Sequence, residues 1–304
     1  MTRLQDTNEA DLPSHGRTRA AWLKHLSDVG SGHGFFERVG ADHMALFVEE
    51  SETLLVSFDR AERVYAETRD GMPAGFEMVV RREWSFLSIL SMGDTRFRDD
   101  DLSLMFETLL DNGVFDTFKR VFFLGLGPVC GHAACCYSSA APGARVIASR
   151  PAARVDQGAG GNTRFADASA LLSGSDAATI LFDSKEAGAP ENFARFSGSN
   201  VVRVDLPHCG SALETMIHED DLAPPMFRAL GNNRLDAARV REILRPSKRR
   251  NGSYLMRLAE AALNAGQTRR AATIARYALD ATGEQRFRTL LSLTGEPIKD
   301  AATA

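Results

Sequence analysis

Val121-Phe-Phe-Leu-Gly-Leu-Gly-Pro-Val-Cys-Gly-His-Ala-Ala134 reads as a buried strand that passes through a glycine-rich turn into a helix of small residues. In doubly wound α/β proteins such a strand–turn–helix presents either a phosphate-binding loop or a catalytic nucleophile. The turn contains no serine, so the stretch says more about fold and site position than about a reaction.

Other short apolar runs stand on both sides of it: Met44–Val48, Leu54–Phe58, Phe86–Leu90, Arg145–Ala148, Thr179–Phe182 and Val201–Asp205. Near-continuous apolar runs suit strands covered on both faces. Helical patterns separate several of them, at Arg60–Arg69, Asp101–Asn112, Gly131–Ser139 and Thr163–Leu172. The alternation predicts an α/β fold with a mainly parallel, doubly wound sheet. Ahead of it, residues 1–14 are polar, and Arg17–Val29 has helical spacing with Gly30-Ser-Gly as its stop. Gln157-Gly-Ala-Gly-Gly-Asn162 has no periodicity and is read as a loop. His218-Glu-Asp-Asp221 is read as the start of another, ending at Pro224-Pro225.

After Pro246-Ser-Lys-Arg-Arg-Asn-Gly252, read as an exposed basic linker, the pattern changes. Leu258, Ala262, Gly266, Ala271, Ala275, Ala278 and Leu279 fall at the spacing of a tetratricopeptide-like helical hairpin, with Gly266 at its turn. One such unit cannot bury its own face, so it is expected to pack on the α/β domain or on a second subunit, as an ordinary αα-hairpin or as a peptide-binding repeat. The expected organisation is an N-terminal segment over 1–30, an α/β domain over 31–245, and a linker with hairpin over 246–304.

Composition excludes some classes of function. The chain has 304 residues, 44% of them hydrophobic and 25% charged, which is ordinary for a soluble globular protein. A net charge of −4 gives no support for a nucleic-acid or anionic-membrane partner. No apolar run reaches the ~18 residues of a membrane-spanning helix, and the start has no apolar signal segment. The cysteines at 130, 135, 136 and 209 form no C-x-x-C pair and suit a reducing cytoplasm. Cys130, His132, His208 and Cys209 do not have the spacing of a zinc site, and neither metal nor cofactor is expected.

Ligands of open α/β sheets bind beyond the carboxyl ends of the strands. There the chain places the Gly125–His132 turn, then Asp183, then His208. Turn, acid and histidine is the chain order of nucleophile, orienting acid and base in α/β-hydrolases. From Trp84 to about His208 the chain resembles an α/β-hydrolase-fold protein. It is most like small alphaproteobacterial proteins often labelled phosphoadenosine phosphosulfate reductase. The resemblance rests on Gly93-Asp-Thr-Arg-Phe-Arg-Asp99, the Asp101–Asn112 helix and Val121–Gly131. It implies a G-x-S-x-G elbow at the last place, with Asp183 and His208 as acid and base.

The elbow departs from that pattern. In the register that starts at Gly125 the nucleophile slot holds Gly127; in the one that ends at Gly131 it holds Val129, after Pro128. None of these can attack a carbonyl. The expected function is therefore a non-catalytic binding or scaffold protein. Gly125, Gly127, Gly131 and His132 would line its remnant pocket, open to a small-molecule ligand, and the C-terminal helices would offer a surface to a protein partner. The rival is a thiol hydrolase or acyltransferase, with Cys130 activated at the helix N-terminus, His208 as base and Asp183 orienting it. A third reading, Gly125-x-Gly127-x-x-x-Gly131 as a dinucleotide loop, lacks an acidic residue near Ile147-Ala-Ser149. The reductase label lacks both the S-G-G-x-D-S loop and the late E-C-G-x-H segment that its chemistry needs. Arg96 and Arg98 are read as solvated, and Asp99-Asp-Asp101 as the cap and first-turn charge of the next helix.

Overall fold

A computed structural model describes residue 13, residues 15–155 and residues 162–295. The expectations for residues 1–14 and for the loop at Gln157 therefore lie almost wholly outside the described residues. The strands are β1 (Gly34–Val39), β2 (His43–Val48), β3 (Thr53–Arg60), β4 (Ser85–Ser91), β5 (Arg120–Leu126), β6 (Arg145–Ser149), β7 (Ala177–Phe182) and β8 (Val201–Asp205). They form one sheet in the order β1-β2-β4-β3-β5-β6-β7-β8. β2 runs antiparallel to β1 and β4, and every other pairing is parallel. The fold is thus α/β, with an eight-stranded, mostly parallel sheet flanked by helices.

Period-two alternation along the strands divides the core in two. Phe122, Leu124 and Leu126 of β5 face one way and join Leu46, Phe86, Ile147 and Leu181. On that face pack α1 (Arg19–His33), α2 (Ala61–Glu67), α3 (Glu77–Arg82), α8 (Ala212–Glu219), α9 (Ala223–Gly231) and α10 (Ala237–Lys248). Val121 and Phe123 face the other way with Val56, Phe58, Ile89 and Val146. That side is covered by α4 (Asp100–Asp111), α5 (Pro128–Tyr137), α6 (Ala168–Leu171) and α7 (Ala189–Ala194). An aromatic cluster of Phe58, Phe106, Tyr137 and Phe165 holds α4 and α5 together, with ring centroids 4.3–5.9 Å apart.

Several boundaries differ from the sequence reading. Gly30 does not stop α1: the helix runs on to His33. Gly30 is buried there because a Cβ would stand 2.6 Å from the Phe35 carbonyl carbon of β1, so the glycine lets helix and strand touch. The helix expected over Thr163–Leu172 breaks into a 3-10 turn (Thr163–Phe165) and α6, because Asp167 caps the Ala170 amide at 3.1 Å. His218 lies in α8, not in a loop, and Pro224 and Pro225 stand in the first turn of α9, where a proline costs no helical bond. Pro246 lies inside α10 near its end, so the expected linker shrinks to the turn around Arg249–Asn251. Arg98 is buried, not solvated, and its Nε donates to the Asn162 carbonyl at 3.1 Å. Asp99 does occupy the N-cap of α4, but without a side-chain cap bond; its Oδ2 stands 3.5 Å from His43 Nε2.

The C-terminal quarter contains α11 (Gly252–Asn264), α12 (Thr268–Thr282) and α13 (Arg286–Leu293). Gly266 turns the chain between the first two with a φ of +71°. Leu255, Ala259, Ala272, Ala275, Ala278, Phe287, Leu290 and Leu291 form a core of their own, separate from both sheet faces.

Helix α5 is buried almost throughout, and its small residues let it approach the sheet closely. A Cβ on Gly125 of β5 would stand 2.1 Å from the Cys130 carbonyl oxygen. Gly125→Ala is expected to lower the free energy of unfolding in urea by about 3 kcal/mol or to prevent folding. Gly32→Ala, at an exposed position of α1 with open space around it, should leave stability unchanged or raise it by up to about 1 kcal/mol.

Candidate functional site

The strand-to-helix bend after β5 is made at Gly127. Its φ of 90° with ψ of 172° is a conformation that L side chains rarely adopt. Space is not what demands glycine, because a Cβ there would meet nothing nearer than Glu214 Cγ at 4.0 Å. The Gly127 amide donates to Ser149 Oγ at 2.8 Å. Pro128 takes the first helical position, pre-set by its ring and without an N–H. The helix thus starts three residues earlier than its composition suggested. The residue at the bend has no side chain, and the residue after it has no donor.

A cavity of about 580 Å³ opens beside this bend, at the carboxyl ends of the strands. Its walls include Arg60 at the end of β3, Arg63 of α2, Gly127, Arg150 after β6, Glu214 of α8 and Ser253 of α11. The charged groups are largely paired. Arg63 Nε donates to buried Asp59 Oδ1 at 2.8 Å, and its Nη2 also bonds this carboxylate. Burial alone would raise the Asp59 carboxyl, but Arg63 more than reverses this and holds it below the usual range. Arg150 Nε donates to Glu214 Oε1 at 2.9 Å and its Nη2 to Oε2 at 3.1 Å, while Nη1 reaches both oxygens of Glu186 at 2.9 Å. Ser149 Oγ donates to Glu214 Oε1 at 2.7 Å. A continuous polar chain therefore runs from the Gly127 amide through Ser149, Glu214 and Arg150 to Glu186.

Cys130 lies in the first turn of α5 and lines the cavity, but it is only 5% exposed. Burial, reinforced by the Asp59 charge, pushes its thiol far above the ordinary range. The activation expected from the helix terminus is outweighed by desolvation. Gly125 and Gly131 serve close packing: a Cβ on Gly131 would stand 3.0 Å from the Ser149 carbonyl. His132 is buried, with Nδ1 2.7 Å from the Ala152 carbonyl and Nε2 2.8 Å from that of Phe165. Its ring ties the segment after β6 to α5, and burial lowers its pKa despite both carbonyls.

Asp183 and His208 do come together, but through the main chain. Asp183 is fully buried after β7. Its Oδ1 accepts from the Lys185 amide at 2.9 Å and the His208 amide at 3.0 Å, and its Oδ2 from the Gly210 amide at 2.9 Å. The carboxylate pins the loop after β8 and is not hydrogen-bonded to the His208 ring. His208 has a φ of 66° and is half-buried; the walls of the cavity do not include it. Burial lowers the pKa of its ring, Asp183 opposes this, and Lys185 and Arg257 add to the lowering.

Ser149, Arg150, Glu186 and Glu214 were not legible as site residues. The available signal was charge immediately after a strand, at Arg60 and Arg150, where a parallel sheet gathers its strand ends. Among the described residues no group of three or more His, Cys, Asp or Glu is placed to hold a metal ion, and no helix is long and apolar enough to cross a membrane.

A carboxyl outside this cavity carries a pH effect. Burial, with Asp221 and Asp70 nearby, raises the pKa of Glu77 from 4.5 to about 7, and its Oε1 has no partner. The folded protein thus holds a proton there that the unfolded chain releases. The resulting stability is complete below the ordinary value and is lost as pH rises through 7. Glu77→Gln should be on the order of 2 kcal/mol more stable than the wild type at pH 8, and the gap should close by pH 4.5, as read from urea midpoints. Iodoacetamide at pH 8 should leave Cys130 unmodified in the native protein and modify it fully in 8 M urea, as read by peptide mass spectrometry.

Comparison with family models, and with curated proteins, returns no match to this chain.

Proposed function

We propose that the chain is an α/β-hydrolase-type protein that keeps the pocket of that fold without its chemistry, and that it acts by binding a small polar molecule there. One observation carries this reading: the bend after β5 is Gly127 followed by Pro128. A hydrolase elbow needs a nucleophilic side chain at the bend and a main-chain N–H on the next residue for the oxyanion. Both are missing here at adjacent positions. The strand order, with an antiparallel β2 and the crossing of β3 and β4, supports the hydrolase-type assignment. The cavity, with its arginine, glutamate and serine walls, supports a polar ligand. We further place the protein in a reducing compartment, in keeping with four unpaired thiols, and read α11–α13 as tetratricopeptide-like.

In favour of the thiol-hydrolase reading stands the place of Cys130 at the cavity wall, and three observations weigh against it. Cys130 is buried and un-ionised, Pro128 offers no donor, and His208 is not at the cavity wall.

The purified protein should hydrolyse p-nitrophenyl acetate and butyrate no faster than its heat-denatured sample. Gly127→Ser should not change this, because the new hydroxyl finds neither base nor oxyanion donor. Turnover abolished by Cys130→Ser would overturn the reading. On the binding side, small molecules extracted from the native protein and identified by mass spectrometry should be depleted in Ala66→Trp, which fills the cavity wall. Equal recovery from both proteins would sink the pocket assignment.

A further inference from the structure

The same cavity has one wall that belongs to a different part of the molecule. Asn251 and Ser253, at the start of α11, line it together with residues of α2, α5 and α8. Beyond Tyr254 the unit α11–α13 has a core assembled wholly from its own residues, from Leu255 to Leu291. Among the described residues Tyr254 alone is packed against both this core and that of one sheet face, and Lys248 Nζ at the end of α10 stands 4.9 Å over its ring. A body with its own core keeps its shape when it swings, and its attachment is then set by the contacts at its edge.

Behind the cavity wall, on the far side of Arg150, those contacts are ionic. Arg257, one turn into α11, is 38% exposed on its side chain. Its Nη2 stands 3.7 Å from Glu186 Oε1 and 3.9 Å from Asp183 Oδ2. The guanidinium lies on Gly210 of the loop after β8, so closely that a Cβ there would fall 1.3 Å from Nη1. Glu186 is also the last member of the chain that leads through Arg150 and Glu214 to the Gly127 bend. Both carboxylates that Arg257 meets have other partners: Glu186 keeps Arg150, and Asp183 keeps three main-chain amides. Removing Arg257 therefore leaves Glu186 with its Arg150 ion pair and Asp183 with its three amide donors. A contact whose loss leaves both carboxylates hydrogen-bonded, one residue removed from the cavity wall at Arg150, is suited to making and breaking.

We infer that α11–α13 is a cap over the cavity, swinging about the turn at Arg249–Asn251 and held shut by Arg257 against Glu186 and Asp183. The inference goes beyond the binding function proposed above: it concerns access to the cavity, whatever enters it. The Arg257–Glu186 arm, partly exposed on both sides, is weak and screened by salt. The cap therefore opens in solution without unfolding of the sheet.

Two measurements on the full chain test this. In hydrogen exchange followed by mass spectrometry, Arg257→Met, which keeps the apolar stem, should speed exchange across α11–α13 several-fold. Arg257→Glu, which sets like charges against each other, should speed it by about tenfold. In both variants the amides of β3, β5 and β6 should exchange as in the wild type. Limited trypsin digestion should cut at Lys248, Arg249 and Arg250 faster in the same order. Raising the salt to 1 M should speed this cleavage in the wild type and not in Arg257→Met. Exchange in α11–α13 unchanged by either substitution would overturn the inference. So would strands β3, β5 and β6 accelerating in step with the cap, since that is loss of global stability and not a hinge.

Discussion

Helix α5 lies against β5 and β6 at a distance that only hydrogen tolerates, with Gly125 facing the Cys130 carbonyl and Gly131 facing that of Ser149. Most of the molecule is arranged around this approach. The helix is buried from Cys130 to Tyr137, so its composition there is mostly small and apolar, and two alanines and three cysteines supply it. Because the helix sits so low on the sheet, the bend that feeds it must be sharp, and that sharpness requires the left-handed geometry at Gly127. The bend in turn places the floor of the cavity at the strand ends, where Arg60, Arg150 and Glu214 converge.

Most charged groups around that floor are paired with each other, while Glu62 Oε2 is buried without a hydrogen-bond partner. Asp59 takes Arg63, Glu214 takes Arg150 and Ser149, and Asp183 takes three backbone amides. A general acid or base needs a proton that can move at neutral pH, and a group held by two or three strong partners has given that up. The Cys130 thiol at the same place is held un-ionised by burial. The floor of the cavity is thus lined by charged groups that are largely paired with one another.

The sheet was legible because seven of its strands are apolar runs bounded by polar turns. β1 was not, since Gly34-Phe-Phe-Glu-Arg-Val39 is a mixed, exposed edge that follows a glycine-rich run, and its pairing with β2 is a tertiary fact. α8 and α9 were hidden by Pro224 and Pro225, which read as breakers until their place in a first turn is known. In the site, glycines at 125, 127 and 131 announced the bend directly. Asp183 and His208 were legible as strand-end residues, but a strand end tells which rim a residue occupies and not where its side chain turns. Here the acid turned to the amides beneath the histidine. Glu214 and Arg150 are 64 residues apart in the chain and find each other only in the fold.

The string from Ser149 to Glu186 also limits how this protein can drift. Each member neutralises or hydrogen-bonds the next, so a change at Glu214 leaves Arg150 only Glu186, and a change at Arg150 leaves Glu214 only Ser149 and Glu186 only the longer contact to Arg257. Neutral wandering at these positions is closed one residue at a time. In descendants of this chain they should be retained as a block or exchanged as a block, and their joint fate would trace the history of this rim better than any one residue.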